Sequence, residues 1–276
     1  MPILNPEHAY REFQVELPEG ERFEQHHIKV RTQDISPYCF IPGSHLRGRL
    51  MAEQLDDCRV VSATRGYYIY SGTYKGVFMT VCSTGMGGPA AAIAMEELGK
   101  MGATTFIRVG SAGTTQDFLG VGDIVVATAA NRAGGTSLNY LPANFPAVAD
   151  FAVTRELADA ADRLQVPVHT GVCTAGDAFY APKDQELRAL LKQAGVLAIE
   201  MESDTAFIVS QFRGWRCGAA FVLDGGPARR IAQSSAVDRN IANHASNKEF
   251  RRGEDGVIRI ALEAMAALAV RDHAGA

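Results

Sequence analysis

What the sequence is short of narrows the possibilities first. Its five cysteines, Cys39, Cys58, Cys82, Cys173 and Cys217, are odd in number, show no Cys-x-x-Cys spacing and have no histidine at zinc-ligand distance. That argues against a disulfide framework and a structural zinc site, and predicts reduced, mostly buried thiols in a cytoplasmic protein. The first 27 residues (MPILNPEHAYREFQVELPEGERFEQHH) mix charges throughout and lack the apolar stretch of a secretory leader. No apolar run is long enough for a membrane span; the longest, Ile258–Val270, contains Glu263 and reads as an amphipathic C-terminal helix. Positive charge is not in excess either: 27 Lys+Arg against 31 Asp+Glu leave a formal net charge of −4. Nucleic acid and anionic membranes, which need a basic face, are therefore poor main partners, whereas a small anion needs only a local group of arginines. There is no G-x-x-x-x-G-K-[ST] and no properly spaced G-x-G-x-x-G with a following acid, so neither a P-loop nor a dinucleotide site is expected.

What is there reads as a globular chain of 276 residues, 47% hydrophobic and 21% charged. Residues 1–36 are polar and punctuated by Pro and Gly, an N-terminal extension. Tyr67–Ser71 and Val77–Ser83 flank the turn GTYKG as a β-hairpin. Pro89–Met101 reads as a helix, Thr105–Gly110 and Asp123–Ala130 as buried strands, and Thr154–Leu164 as a helix capped by Thr154. Strands at Val168–Ala175, Val196–Met201 and Gly218–Asp224 then alternate with helices at Asp184–Gln193 and Asp204–Gln211. This rhythm predicts an α/β fold around a central sheet, with one domain over residues 1–276. Ala228–Gly256 is polar and charge-rich, either a solvated loop or a mobile flap.

Three glycine-rich turns follow predicted strands: IPGSHLRGR (41–49), STGMGGP (83–89) and RVGSAG (108–113). Such turns let backbone N–H groups approach an anion. Arg47 follows Gly43, Arg65 opens the hairpin, and Arg108 precedes Gly110 and Ser111 inside the apolar strand TFIRVG. An arginine there is costly unless paired, and two outcomes stay open: a phosphate pocket, or salt bridges to Asp or Glu. In AIEMESDTA (198–206), Glu200 and Glu202 share one face of a strand end. A buried carboxylate at this place suits the two hydroxyls of a vicinal diol such as ribose; the alternative is an acid favoured by a helix N-terminus.

The segments PGSHLRGR, TRGYYIYSGTYKG, STGMGGPAAAIAMEELGKMGATTFIRVGSAG, GTSLNYLPANFPAVADF, DAFYAP and EMES resemble the nucleoside phosphorylase family, which contains uridine phosphorylases and hexameric purine nucleoside phosphorylases. The likeness runs from about His27 to about Asp224, in the family's order. It implies a central mixed sheet, partly barrel-like and flanked by helices, and cleavage of an N-glycosidic bond by inorganic phosphate, without metal or cofactor. It further implies that Gly43, Arg47, Arg108 and Ser111 hold phosphate, with Arg65 supplied by a neighbouring subunit. Met86, Met201 and Glu202 would meet the ribose, and His27 would reach a neighbour's ribose 5′-hydroxyl. Phe179 would stack near the nucleoside, with Gly113 on the base side. The implied assembly is a homo-oligomer, dimers arranged as a hexamer, and Gly66 stands where some uridine phosphorylases carry an acid near an interface ion.

On the base, the chain departs from the pattern. Uridine phosphorylases place a Gln and an Arg four and six residues after the stacking Phe; here the positions hold Lys183 and Gln185. A cation and an amide remain, able to serve uracil, or both simply face solvent. The purine alternative has Asp224 as an acid for the leaving base, one residue out of register. The block GTSLNYLPANFPAVADF favours uridine. A nucleosidase using water and a non-catalytic binding relative are the remaining alternatives; Arg47, Arg65, Arg108 and Glu202 are all present, which disfavours both.

Overall fold

The computed structural model describes residues 24–180, 185–226 and 247–274. Its strands are β1 (Tyr38–Phe40), β2 (Asp56–Thr64), β3 (Tyr67–Tyr74), β4 (Val77–Ser83), β5 (Thr105–Gly113), β6 (Ile124–Ala133), β7 (Ala147–Val148), β8 (His169–Gly176), β9 (Ala198–Glu200) and β10 (Arg216–Gly225). The helices are α1 (His45–Ala52), α2 (Gly88–Lys100), α3 (Phe151–Leu164), α4 (Gln185–Gln193), α5 (Ser203–Arg213) and α6 (Lys248–Ala274). One mixed sheet runs β10-β6-β8-β9-β5-β1-β4-β3-β2, and β10 also pairs with β5. That second pairing bends five strands into a closed ring, and the rest continue from it as an open wing. The expected α/β domain with a partly barrel-like mixed sheet is the fold.

Local chemistry explains the wing. Arg65-Gly66 and Lys75-Gly76 both have positive φ at two successive residues, the conformation of the two-residue turns that match strand twist. They join β2 to β3 and β3 to β4. One apolar layer gathers Phe106, Phe207, Phe221, Met95 and Leu98 against the sheet; Ile28 and Val30, ahead of β1, are wholly buried in it. The other gathers Phe40, Met51, Met79, Ile107 and the buried faces of α3 and α6. Four cysteines are buried and Cys58 is exposed.

Two expectations are corrected. The cap of α3 is Asp150, whose Oδ1 accepts from the Val153 N–H at 2.9 Å; Thr154 already lies in the first turn. The stretch read as loop or flap over 228–256 is helical from Lys248 onward, while residues 227–246 lie outside the described ones. Phe250, Gly253, Val257 and Ile260 form its buried stripe, with Arg251, Arg252, Asp255 and Arg259 exposed. The two glycines and dense charge hide that helical period in the sequence. Among the described residues no helix is long and apolar enough to cross a membrane.

Candidate active site

β1 runs parallel to both β4 and β5, and β5 runs parallel to β10. The carboxyl ends of four strands therefore open side by side, the usual seat of a ligand in α/β sheets. Two of the glycine-rich segments are turns at those ends; the third, RVGSAG, is no turn but the second half of β5 itself, paired with β10 as far as Gly113. Thr84 N donates to Pro42 O at 2.9 Å and Gly85 N to Gly43 O at 3.1 Å, which locks the first two together. A side chain at Gly43 would stand 3.0 Å from the Gly85 carbonyl and 3.8 Å from Arg108 Nη1. Strand β5 thus delivers its arginine to the first turn. Arg47 enters from the first turn of α1, where Ser44 Oγ accepts from its backbone N–H at 3.4 Å.

Arg108 is 4% exposed and uses its nitrogens unequally. Nε donates to Glu200 Oε2 at 2.8 Å and Nη2 donates to Glu202 Oε2. Nη1 is buried with no hydrogen-bond partner, a costly arrangement for a cation. Glu200 also accepts from the Glu202 and Ser203 N–H groups, and Glu202 Oε1 accepts from Gly87 N in the second glycine turn. Although Glu202 occupies the cap position of α5, its side chain makes no capping bond. Gly110 leaves room for this arrangement: a Cβ there would meet the Phe221 ring at 2.7 Å.

The electrostatics follow. Burial pushes the Glu202 carboxyl up, Arg108 opposes it and Glu200 adds to it. Burial also pulls Arg108 down, but Glu202 and Glu200 more than offset this and hold the guanidinium above its usual range. Arg47 lies below its usual range, through burial first; Glu254 acts against that, while the nearby Arg108 deepens it and Asp224 opposes it. Arg47, Arg108, Glu202 and Asp224 thus share one neighbourhood, and of the two outcomes left open for these arginines the structure shows the salt bridges, Arg108 to Glu200 and Glu202 and Arg47 to Glu254.

Asp224 stands at a bulge between the pairs Leu223–Ala112 and Gly225–Gly113, and bulges re-aim a side chain. Gly113 also meets Ile199 of β9, which brings the β5 end against the strand that carries Glu200. Ser111 lies three residues beyond Arg108 on β5, and Met201 joins β9 to α5, half-buried. Met86 is 82% exposed in the second glycine turn. Phe179 is 67% exposed beyond β8, with its ring edge-on to Tyr180 at 5.0 Å. Gln185 is exposed at the start of α4, a helix with no buried residue; Lys183 lies outside the described residues.

His27 and Arg65 have other surroundings. His27 Nδ1 is 2.5 Å from Glu97 Oε1 on α2, and the same carboxylate accepts from the backbone N–H of His27 and Ile28. Arg65 is exposed at the tip of the β2–β3 turn. Two further participants come from far along the chain, Glu254 with no local signal in the sequence and Gly87 from within the turn STGMGGP. Glu254 pairs with Arg47 across 207 positions at 3.0 Å, and Gly87 reaches Glu202 across 115.

Comparison with known proteins adds an independent line. The profile of the Phosphorylase superfamily matches residues 37–253. A guanosine phosphorylase from Halorubrum lacusprofundi is 37% identical over 244 residues, 88% of this chain and 99% of that protein. A uridine phosphorylase from Thermococcus kodakarensis is 35% identical over 270 residues, covering 94% and 91%. The crystal structure of uridine phosphorylase from Vibrio fischeri superposes with a TM-score of 0.79 at 32% identity, over 88% of this chain and 98% of that one.

Proposed function

Since the chain belongs to the Phosphorylase superfamily, we propose that it is a nucleoside phosphorylase acting on uridine, with inorganic phosphate as co-substrate and no cofactor. The observation that carries the reading is the buried Nη1 of Arg108, aimed at the Gly43 turn while the other guanidinium nitrogens are fixed on two glutamates. Phosphate then lies between the Gly43 turn, Arg47, Arg108 and Ser111, with Arg65 contributed by a neighbouring protomer of a dimer-based hexamer. Glu202 takes the ribose hydroxyls beside Met201 and Met86, with a neighbour's His27 at the 5′-hydroxyl. Phe179, Gly113 and Gln185 serve the base, and Lys183, outside the described residues, is the cation offered to it by the sequence.

The chemistry fits that inventory. A phosphate oxygen bonds to C1′ as the C1′–N bond breaks, and the departing base keeps the electron pair and takes a proton. Positive charge builds on the sugar, so the phosphate must stay electron-rich. Arg108 is already paired with Glu200 and Glu202, so it orders the dianion without fully neutralising it. Holding both reactants in line supplies up to about 7–11 kcal/mol of the barrier at the ideal limit.

The uridine choice is supported by the segment 135–151 and by the uridine phosphorylases among the relatives. Asp224 at its bulge and the guanosine phosphorylase relative favour a second reading, purine cleavage with Asp224 as the acid. The test is product identification with uridine, thymidine, inosine, guanosine and adenosine, each with and without phosphate. Expected is phosphate-dependent release of uracil, lost by at least about a hundredfold in Arg108→Ala. Equal cleavage without phosphate points to a nucleosidase, and binding without turnover to a non-catalytic relative; guanine release would move the assignment to purines.

A further inference from the structure

Two buried guanidinium groups face one site, and their balancing carboxylates come from different parts of the chain. Those of Arg108 come from β9 and the start of α5, while Arg47 is balanced by Glu254, in the first half of α6. The Arg47 side chain is 4% exposed and that of Glu254 13%. What brings Glu254 there is a close seating of backbone on backbone. A Cβ at Gly253 would stand 2.3 Å from the Gly122 carbonyl oxygen and 2.7 Å from Val222. Gly122 itself has φ +93°, and a Cβ on it would meet the Glu249 carbonyl oxygen at 2.5 Å. The turn that α6 rests on is pinned to β10, with Gly122 N donating to Leu223 O at 2.9 Å and Leu223 N to Asp123 O at 2.8 Å. Glu254 is thus held at a fixed height over α1, next to the strand end that carries Asp224.

We propose that Glu254 is a positioning residue of the phosphate site: it grips Arg47 through Nε alone and so directs the remaining guanidinium donors to the oxyanion held by Arg108. The inference rests on the phosphate reading given above. A guanidinium presents five N–H donors in a rigid planar fork. A carboxylate docked side-on against the terminal amino groups would compete with phosphate; one bonded at Nε fixes the plane and leaves both Nη groups to an anion. The same carboxylate acts against the burial that pulls Arg47 down. Because Glu254 rides on α6, the seating of that helix becomes part of phosphate affinity.

Steady-state kinetics with each substrate varied in turn test this in the full-length enzyme, with Glu254→Ala, Glu254→Asp and Glu254→Gln compared by circular dichroism and melting. Glu254→Ala is expected to raise the phosphate KM about tenfold, the scale of one charge-assisted hydrogen bond, with the nucleoside KM within about twofold of wild type. Glu254→Asp, which keeps the charge but falls short of Nε, is expected to do the same, and covers the case in which the alanine variant does not fold. Glu254→Gln, whose amide oxygen still accepts from Nε, is expected to restore most of the loss. An unchanged phosphate KM in Ala and Asp, a parallel rise in both KM values, or a Gln variant as poor as Ala would each overturn the proposal. Phosphate-independent cleavage by the wild type would instead defeat the phosphate reading on which it rests.

Discussion

Glu202 shows at the scale of one residue how burying a carboxylate trades against stability. Burial raises its pKa above the usual carboxylate range, opposed by Arg108 and reinforced by Glu200. Over the pH window between the ordinary and the raised value, the folded chain keeps a proton that the unfolded chain has lost. Stability from this group is therefore complete below the ordinary glutamate pKa and lost as pH rises through the raised one. Urea midpoints of wild type and Glu202→Gln, taken at a series of pH values, are expected to diverge across that window, with the wild type losing ground. Parallel curves would mean that Glu202 is not perturbed. The residue itself is legible in the sequence as a glutamate at a strand end, where a diol ligand and a helix N-terminus are both open readings; Arg108 inside TFIRVG is legible because a cation in an apolar strand needs a partner. Glu254 is not, since its partner lies 207 positions away and only the packing of α6 joins them.

Elements follow the same division between local and distant causes. The hairpins around Arg65-Gly66 and Lys75-Gly76 depend on turn chemistry within four residues, and the buried strands β5, β6 and β10 on continuous apolar runs. The start of α3 is local as well, a cap three residues from its donor, whereas the first half of α6 depends on tertiary packing. At α3, Asp150 caps while the Thr154 hydroxyl is buried without a partner. Asp150→Ala is therefore expected to cost about 1 kcal/mol. Thr154→Val, which replaces an unsatisfied hydroxyl by a methyl, is expected to leave stability unchanged or raise it by up to about 1 kcal/mol. Denaturant midpoints of the two variants decide the matter: a Thr154→Val protein weaker than Asp150→Ala would return the cap to Thr154.

The whole molecule poses the question of what counts as one site. Arg47 and Arg108 share a buried neighbourhood, whereas Arg65 is exposed on a hairpin tip and His27 is held by Glu97 on α2. An exposed arginine at a hairpin tip beyond the last β3–β4 pair, Tyr68–Ser83, is well placed to serve another protomer. Under the proposed sharing, Arg65→Ala and Arg108→Ala damage different halves of the same site. Each variant alone is expected to be nearly inactive in phosphorolysis. Co-expressed with different tags and allowed to assemble at random, they rebuild an intact site wherever an Arg65→Ala body receives Arg65 from an Arg108→Ala neighbour, roughly one site in four for pairwise sharing in a symmetric oligomer. Sites complete within one protomer cannot be rebuilt by mixing, so activity that stays at the level of the separate variants, in a mixture shown by sedimentation to be co-assembled, would place every catalytic group on a single chain.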